Sequence, residues 1–387
     1  MTLTVRAITP GLHSAWIADQ PSVSFLQTPE WGKVKTGWRS ESIGWFDGSR
    51  LVGAGLVLYR PVPRLEFRSL AYLPEGPAID WLRREHQHLA LDDWLKPMLR
   101  HCRAQGAFQV KMGPPVALRQ WDAETIKTAI AERQEDAGPA AGAAPARLSE
   151  VLADRHFASA IALVERLQSA GWTQEPSRGA GFGDVQPRYV FQLPLAGRSL
   201  DDVFTGFNQL WRRNVRKAEK VGVTVVRGDR GDLADFHAVY VETAARDGFT
   251  ARALGYFEQM WDSLNSRTER LQLHIAHYDG HVAAAALMVV VGTHAWYSYG
   301  ASTTADRDVR PSNALQWNMI QAAHDAGCDV YDLRGIADTV DPSDHLFGLV
   351  QFKLGTGGFA QEYAGEWDYA LRPLWSRAFR TIQARRG

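Results

Sequence analysis

The chain is poor in cysteine: Cys102 and Cys328 are the only two in 387 residues. Two thiols cannot build a disulfide framework or a cysteine-rich metal site, so a reducing, cytoplasmic setting is expected. Histidines are scattered, with no HExxH pattern and no carboxylates clustered at ligand spacing, and no metal is predicted. Nowhere do about eighteen apolar residues follow one another. Met1 to Gln20 shows neither a basic region ahead of an apolar run nor a small-residue cleavage pattern. No membrane span and no leader are therefore expected. Charge of either sign is not in excess: 43 basic residues face 43 acidic ones. A zero balance leaves no global field for nucleic acid, so any polyanion must meet a local patch. With 45% hydrophobic and 22% charged residues, the chain is of ordinary globular composition, and its length favours two domains.

Lysine is scarce too. Of the 43 basic residues only Lys33, Lys35, Lys96, Lys111, Lys127, Lys217, Lys220 and Lys353 are lysines. Lys353 stands in Phe352-Lys353-Leu354-Gly355-Thr356-Gly357-Gly358-Phe359, with Glu362-Tyr363-Ala364-Gly365-Glu366 close behind. A lone ammonium beside a glycine run, between two apparent strand segments, is a way to hold a compact point charge where backbone can approach a ligand closely. A solvated turn lysine is the bland alternative.

The chain repeats itself. Ser42 to Phe46, Asp47-Gly48 and Leu51 to Tyr59 read as a hairpin, and so do Leu271 to Tyr278, Asp279-Gly280 and His281 to Val291. The two lie about 232 positions apart. A helix over 89–104 stops at Gly106 and feeds Phe108 to Met112, while one over 314–326 stops at Gly327 and feeds Asp329 to Leu333. The reading is a mixed α/β fold made of two pseudo-symmetric units, with the cleft between them as the default ligand site. The expected domains are 1–186 with 364–387, and 187–363. Gln134 to Arg147, rich in alanine, glycine and proline, is read as an insertion or linker.

Five segments, in order, resemble the Fem-type (FemABX) family of tRNA-dependent peptidyltransferases, in particular its FemX-like members. They are Phe25 to Lys35 (FLQTPEWGKVK), Ala71 to Pro77 (AYLPEGP), Arg213 to Val223 (RNVRKAEKVGV), Tyr331 to Ile336 (YDLRGI), and Phe352 to Glu366. The resemblance implies two tandem GNAT-like (acetyltransferase-like) domains. It implies transfer of an amino acid from aminoacyl-tRNA, the co-substrate, onto the stem-peptide amine of a UDP-linked or lipid-linked muropeptide precursor, with no other cofactor. It carries phosphate contacts onto Lys35 and Arg252, substrate contacts onto Tyr256, Trp31 and Tyr299, and proximity to the reacting groups onto Phe352 and Lys353. Where some members place a carboxylate, this chain has Gly113 within Lys111-Met112-Gly113-Pro114, and Phe108 stands where a tyrosine would be. The long helical arm of some relatives is expected to be absent, because 264–271 is too short for it.

Aminolysis of an activated ester is downhill, so positioning and charge stabilisation are what an enzyme must add. An amine with a reference pKa near 10.4 is neutral roughly once in a thousand at pH 7, so a nearby cation or a dry site is needed. Lys353 is read as that electrostatic group. Lys35 and Arg252, from different halves, are expected to converge with it on one elongated anionic ligand. Arg213, Arg216, Lys217 and Lys220 share a helical face, the clearest basic patch and the candidate tRNA contact. Trp211 beside them could stack on a base, but a core anchor is the more frequent fate of a helical tryptophan and is the reading favoured. The C-terminal stretch puts Leu371, Leu374, Trp375, Ala378, Phe379 and Ile382 on one side and arginines elsewhere, which suits packing on the first domain or resting on the anionic inner face of a membrane. A monomer is expected. The rivals are the same tRNA chemistry on another amine, a silent binding module, and an acyl-CoA acyltransferase. Arg103-Ala104-Gln105-Gly106-Ala107-Phe108 speaks against the last, since a pyrophosphate turn belongs at a helix start.

Overall fold

A computed structural model describes residues 3–62, 65–135, 144–174 and 185–384. The chain divides into two compact units: Met1–Arg119 with His156–Arg188 and Glu362–Gly387, and Gln120–Arg155 with Tyr189–Gln361.

The first unit is built on a six-stranded sheet in the order Thr4–Ala7, Arg39–Asp47, Arg50–Val62, Leu65–Leu73, Ala107–Met112, Trp367–Ala370. Its three central antiparallel strands lead through the helix Leu91–Ala104 into Ala107–Met112, which pairs parallel to Leu65–Leu73. Asp92 and Asp93 in that helix's first turn, and His101 and Arg103 in its last, match the helix dipole. Gly106, at φ 87°, then reverses the chain. A Cβ there would lie 2.8 Å from the Phe67 carbonyl oxygen, so the turn weighed for acyl-CoA is closed by the protein's own backbone at a helix end. Trp45, Trp94, Trp172 and Trp367 fill the core beneath.

The second unit repeats the plan within a nine-stranded sheet. Its order is Arg155–His156, Ala117–Asp122, Phe359–Tyr363, Tyr189–Pro194, Val330–Gly335, His294–Ser302, His281–Val291, Leu271–Tyr278, Thr224–Gly228. Asp279 and Gly280, at φ 48° and 78°, form the two-residue turn of the hairpin, as the sequence predicts. After the third strand, the helix Pro311–Asp325 crosses to Val330–Gly335, again parallel to its neighbour. Only residues 265–270 separate the helix Leu254–Leu264 from the strand Leu271–Tyr278, so no helical arm stands there.

One stretch departs from the expected domain limits. Residues 120–155 group with the second unit, not the first. The cause is hydrophobic: Trp121, Ile126, Ile130 and Leu148 share a core with Phe191, Leu193 and Tyr331. Trp121 donates from Nε1 to the Val151 carbonyl at 3.0 Å, and Arg133 pairs with Asp341 at 3.0 Å. Of the expected insertion at 134–147, residues 136–143 lie outside the described residues.

The C-terminus packs back on the first unit. Trp367–Ala370 pairs antiparallel with Ala107–Met112, and the helix Pro373–Ala384 follows. The Phe108 carbonyl accepts from Arg372 N at 2.9 Å and from Ser376 Oγ at 3.2 Å, while Phe379 meets the Phe108 ring at 5.2 Å. Phe108, in the place of a tyrosine, thus anchors this helix by its ring and carbonyl. The inward face carries Phe379 and the small polar Ser376, while Leu374 and Ala378 point out, so the apolar side of the simple amphipathic reading is split between core and surface. The Arg380 and Ile382 side chains lie outside the described residues. Both cysteines are free and buried. Among the described residues no helix is long and apolar enough to cross a membrane, and no group of metal-ligating side chains is found.

Trp121→Ala should remove the ring that ties 120–155 to the second core and cost about 3–5 kcal/mol. A lowered urea midpoint is the expected result, and an unchanged one would show that the stretch is not part of that core.

Candidate active site

Lys353 sits in the last turn of a helix, Phe347–Leu354, where the sequence suggests extended chain. Its side chain is only 3% exposed. The ammonium donates to the Gly335 carbonyl at 2.6 Å and lies 3.4 Å from the Arg334 carbonyl, at the end of the strand Val330–Gly335. Burial pushes its pKa down to about 7; the Asp332 charge works against that shift and the Arg334 charge with it. Asp332 is itself buried. Desolvation alone would raise its carboxyl, but His294, Arg334 and Gln192 together hold it below the ordinary value. Its Oδ2 accepts from Gln192 Nε2 at 3.0 Å and lies 3.4 Å from His294 Nε2. Its Oδ1 accepts the Arg334 backbone N–H at 2.6 Å, which supports that residue's left-handed φ of 63°. Lys353 is thus not an exposed point charge on a loop. It is a buried, titratable ammonium held against carbonyl groups beside a carboxylate.

The glycine run serves packing rather than the open approach expected of it. A Cβ at Gly355 would lie 2.0 Å from Trp211 Cδ1, one at Gly357 2.3 Å from the Gly206 carbonyl oxygen, and one at Gly358 2.1 Å from the Gln192 carbonyl oxygen. The last two of these contacts seat the glycines on the backbone of Gly206 and of the strand Tyr189–Pro194, and the first ties the end of Lys353's helix to the basic helix Gln209–Lys220. There Trp211 is a core anchor as predicted, its Nε1 donating to the Phe352 carbonyl at 2.7 Å and its ring 4.9 Å from the half-buried Phe352. Asn208 caps the helix by accepting from Trp211 N at 2.8 Å. Arg213, Arg216, Lys217 and Lys220 are all exposed on it, with the Arg216 guanidinium 5.5 Å from the Phe204 ring centre.

Three other expected residues come together in the second unit. The Arg252 guanidinium lies 4.6 Å from the Tyr256 ring centre, and the Tyr256 and Tyr299 hydroxyls are 3.2 Å apart. Tyr240 and Phe257 back them with edge-on ring contacts, while the Arg252 carbonyl faces His237 Nε2 at 2.9 Å. This is an exposed guanidinium on an aromatic wall with two phenolic hydroxyls beside it, suited to an anionic or polyol group. In the first unit, Lys35 rests its ammonium 5.0 Å from the Trp31 ring centre. Trp31 is buried against Phe25 at 5.3 Å, so it supports the cation rather than offering a surface.

The FemAB family model matches residues 8–269 and 261–384. The chain belongs to the FemAB family. Among relatives, the lipid II:glycine glycyltransferase of Staphylococcus haemolyticus (strain JCSC1435) is 24% identical over 435 residues, covering 95% of this chain and 93% of that protein. The same enzyme of Staphylococcus aureus (strain MRSA252) is 24% identical over 437 residues with the same coverage. Among solved structures, the crystal structure of FemX superposes with a TM-score of 0.76 at 23% identity, over 96% of this chain and 98% of that one. A tandem GNAT protein from the clavulanic acid biosynthesis pathway gives 0.51 at 12% identity, over 95% and 98%. The two structures speak for the fold, a tandem GNAT-like pair.

Sequence reasoning missed the acids of this FemAB protein. Asp332 was legible only as an acid inside an apolar strand, Val330–Gly335, a pattern that signals a buried, partnered charge. In the first unit, the position that Gly113 leaves without a carboxylate borders one: a Cβ there would lie 3.5 Å from Glu366 Cγ and 3.4 Å from Glu75 N. The buried Glu366 carboxylate accepts from the Tyr72 hydroxyl and, at 2.9 Å, from Val185 N. Burial and then the Glu366 charge push the Tyr72 hydroxyl well up, so it stays a donor.

The Lys353 shift has a sign that can be tested. Below about pH 7 both folded and unfolded chains hold the proton and the desolvation penalty is in force; between there and the ordinary 10.5 only the unfolded chain binds it, so stability from this group rises with pH. Urea titrations of wild type and Lys353→Met from pH 6 to 10 should show the wild type gaining relative to the variant. A constant difference would mean that the ammonium is not desolvated.

Proposed function

We propose that this FemAB protein is an aminoacyltransferase of peptidoglycan biosynthesis, moving an amino acid from aminoacyl-tRNA to the side-chain amine of a muropeptide precursor's stem peptide and so forming an interpeptide bridge. The observation that carries the reading is the end-to-end match, 95% of this chain and 93% of the relative, to enzymes named lipid II:glycine glycyltransferase. Among precursors, the lipid-linked form is favoured by that name; the UDP-linked form offers the same stem peptide and pyrophosphate chemistry. No cofactor beyond aminoacyl-tRNA enters the proposal.

In the reaction, the amine nitrogen attacks the ester carbonyl carbon and an oxyanion forms; as the carbon–oxygen bond breaks, the ribose oxygen takes a proton from Lys353, which regains one from the amine nitrogen. Lys353, with a pKa of about 7, sits at the pH where an ammonium can stabilise the oxyanion and still yield its proton to the leaving oxygen. Asp332 keeps the local charge balanced, and Phe352 links the lysine's helix to Trp211. Arg213, Arg216, Lys217 and Lys220 offer exposed cations to the tRNA backbone. Arg252, with Tyr256 and Tyr299, and Lys35 on Trp31 each offer a cation to the precursor's phosphates.

Incubation with a panel of charged tRNAs and either precursor should add one aminoacyl residue to the stem peptide, read by mass spectrometry. Lys353→Met should lower kcat by about 10²–10⁴-fold with the acceptor KM little changed. Arg252→Met should instead raise the acceptor KM. Added mass with a non-muropeptide amine alone would move the acceptor assignment, and none with any pairing would leave a binding module.

A further inference from the structure

The first unit carries an exposed apolar and basic surface that the chemistry above does not use. Phe67, on the strand Leu65–Leu73, is 63% exposed, and Leu374, on the helix Pro373–Ala384, is 79% exposed. One guanidinium joins the two elements: Arg68 Cζ lies 5.0 Å from the Phe67 ring centre and 5.9 Å from that of Trp375. Ser376 and Phe379 fasten the helix to Phe108, so the stripe Leu374, Arg377, Ala378 and Thr381, at helical spacing, is left facing outward. The sequence from Leu371 to Gly387 holds five arginines and no acid, in a chain whose overall charge is zero.

We propose that this surface docks the protein on an anionic lipid bilayer. Large apolar side chains at its crest, a half-buried tryptophan at its shoulder and the exposed Arg377, within a C-terminal sequence that holds no acid, are what an interfacial helix presents to a membrane: apolar groups enter the acyl boundary while the guanidinium stays with phosphate headgroups. A nucleic acid would use the arginines but gain nothing from Leu374. A second copy of the chain would bring the same arginines face to face, and like charges oppose that. The surface stands on its own residues, whatever amino acid the enzyme transfers.

Cosedimentation of the full chain with phosphatidylglycerol-containing vesicles tests it. Wild type should bind them, bind phosphatidylcholine vesicles at least about tenfold less, and be released as salt rises from low to about 0.5 M. Phe67→Ser with Leu374→Ser should lower binding about tenfold or more, and Arg377→Glu should lower it on anionic vesicles, with circular dichroism unchanged. Wild type that stays in the supernatant overturns the proposal, as do variants that bind like wild type or equal binding to neutral vesicles. A concentration-dependent dimer abolished by Leu374→Ser would overturn it in favour of a self-interface. Turnover of a water-soluble precursor by the double variant should remain at the wild-type level, which separates failure of docking from failure of the enzymatic reading.

Discussion

The burial of one ammonium, Lys353, governs the arrangement around it. A cation withdrawn from water is costly unless charge and hydrogen bonds replace the lost hydration. Here the Gly335 carbonyl at 2.6 Å and the ionised Asp332 supply that replacement, and each has to be positioned. Asp332 is fixed by Gln192 and by the Arg334 N–H, which accounts for an arginine at φ 63°. The lysine fixes the helix Phe347–Leu354 to the end of the strand Val330–Gly335, and the glycines behind it bring Trp211, Gly206 and Gln192 into contact with no room for a side chain. Backbone conformation, helix docking and a shifted proton affinity are therefore consequences of the same buried charge.

Seen as repeats, the two units place different chemistry on the same scaffold. Each has a parallel strand pair formed by a helix crossover after an antiparallel meander. In open sheets of this kind, ligand chemistry gathers at the carboxyl ends of parallel strands. At that end the first unit holds Tyr72, Glu366 and the bare backbone of Gly113; the second holds Asp332 and Lys353. The first is a carboxylate with a hydroxyl donor, the second an ammonium with a carboxylate counterion. The repeated frame thus carries a carboxylate at one strand end and a balanced ammonium–carboxylate pair at the other.

What the sequence made legible was whatever has a local cause. The Asp279-Gly280 turn, the Gly106 and Gly327 stops and the crossover helices each follow from backbone preference and apolar period, and each is found at its expected place, while the first hairpin turns one residue later than expected, at Gly48-Ser49, with Asp47 still paired to Arg50. The resemblance brought out Arg252, Tyr256 and Tyr299, which do cluster, and Lys35 with Trp31. What failed had a tertiary cause. Phe347–Leu354 is rich in bulky apolar residues and reads as strand, but it is helical because its packing overrides weak propensity. The glycine run reports only that no Cβ fits; it cannot report whether a ligand or Trp211 fills the space. The C-terminal helix reads as apolar toward the core, yet it is held through Ser376 and Phe379, so Leu374 is exposed. Residues 120–155 side with the second unit because Trp121 needs a core that lies far along the chain.

The scarcity of lysine gains its meaning at this site. An arginine at 353 would bring five donors in a rigid fork to a place that offers two nearby carbonyls, leaving buried N–H groups unmatched, and it would keep its charge at every accessible pH. A methionine would fill the volume but leave the Gly335 carbonyl without its donor. Only a lysine is both compact enough to settle between the Arg334 and Gly335 carbonyls and able, under desolvation, to titrate near pH 7. A group with that pKa need not be assigned solely as a resident cation or solely as a base. It can hold the positive charge while an oxyanion is present and release the proton as the ester oxygen leaves, so the same burial that orders the fold also adjusts the lysine to the reaction proposed for it.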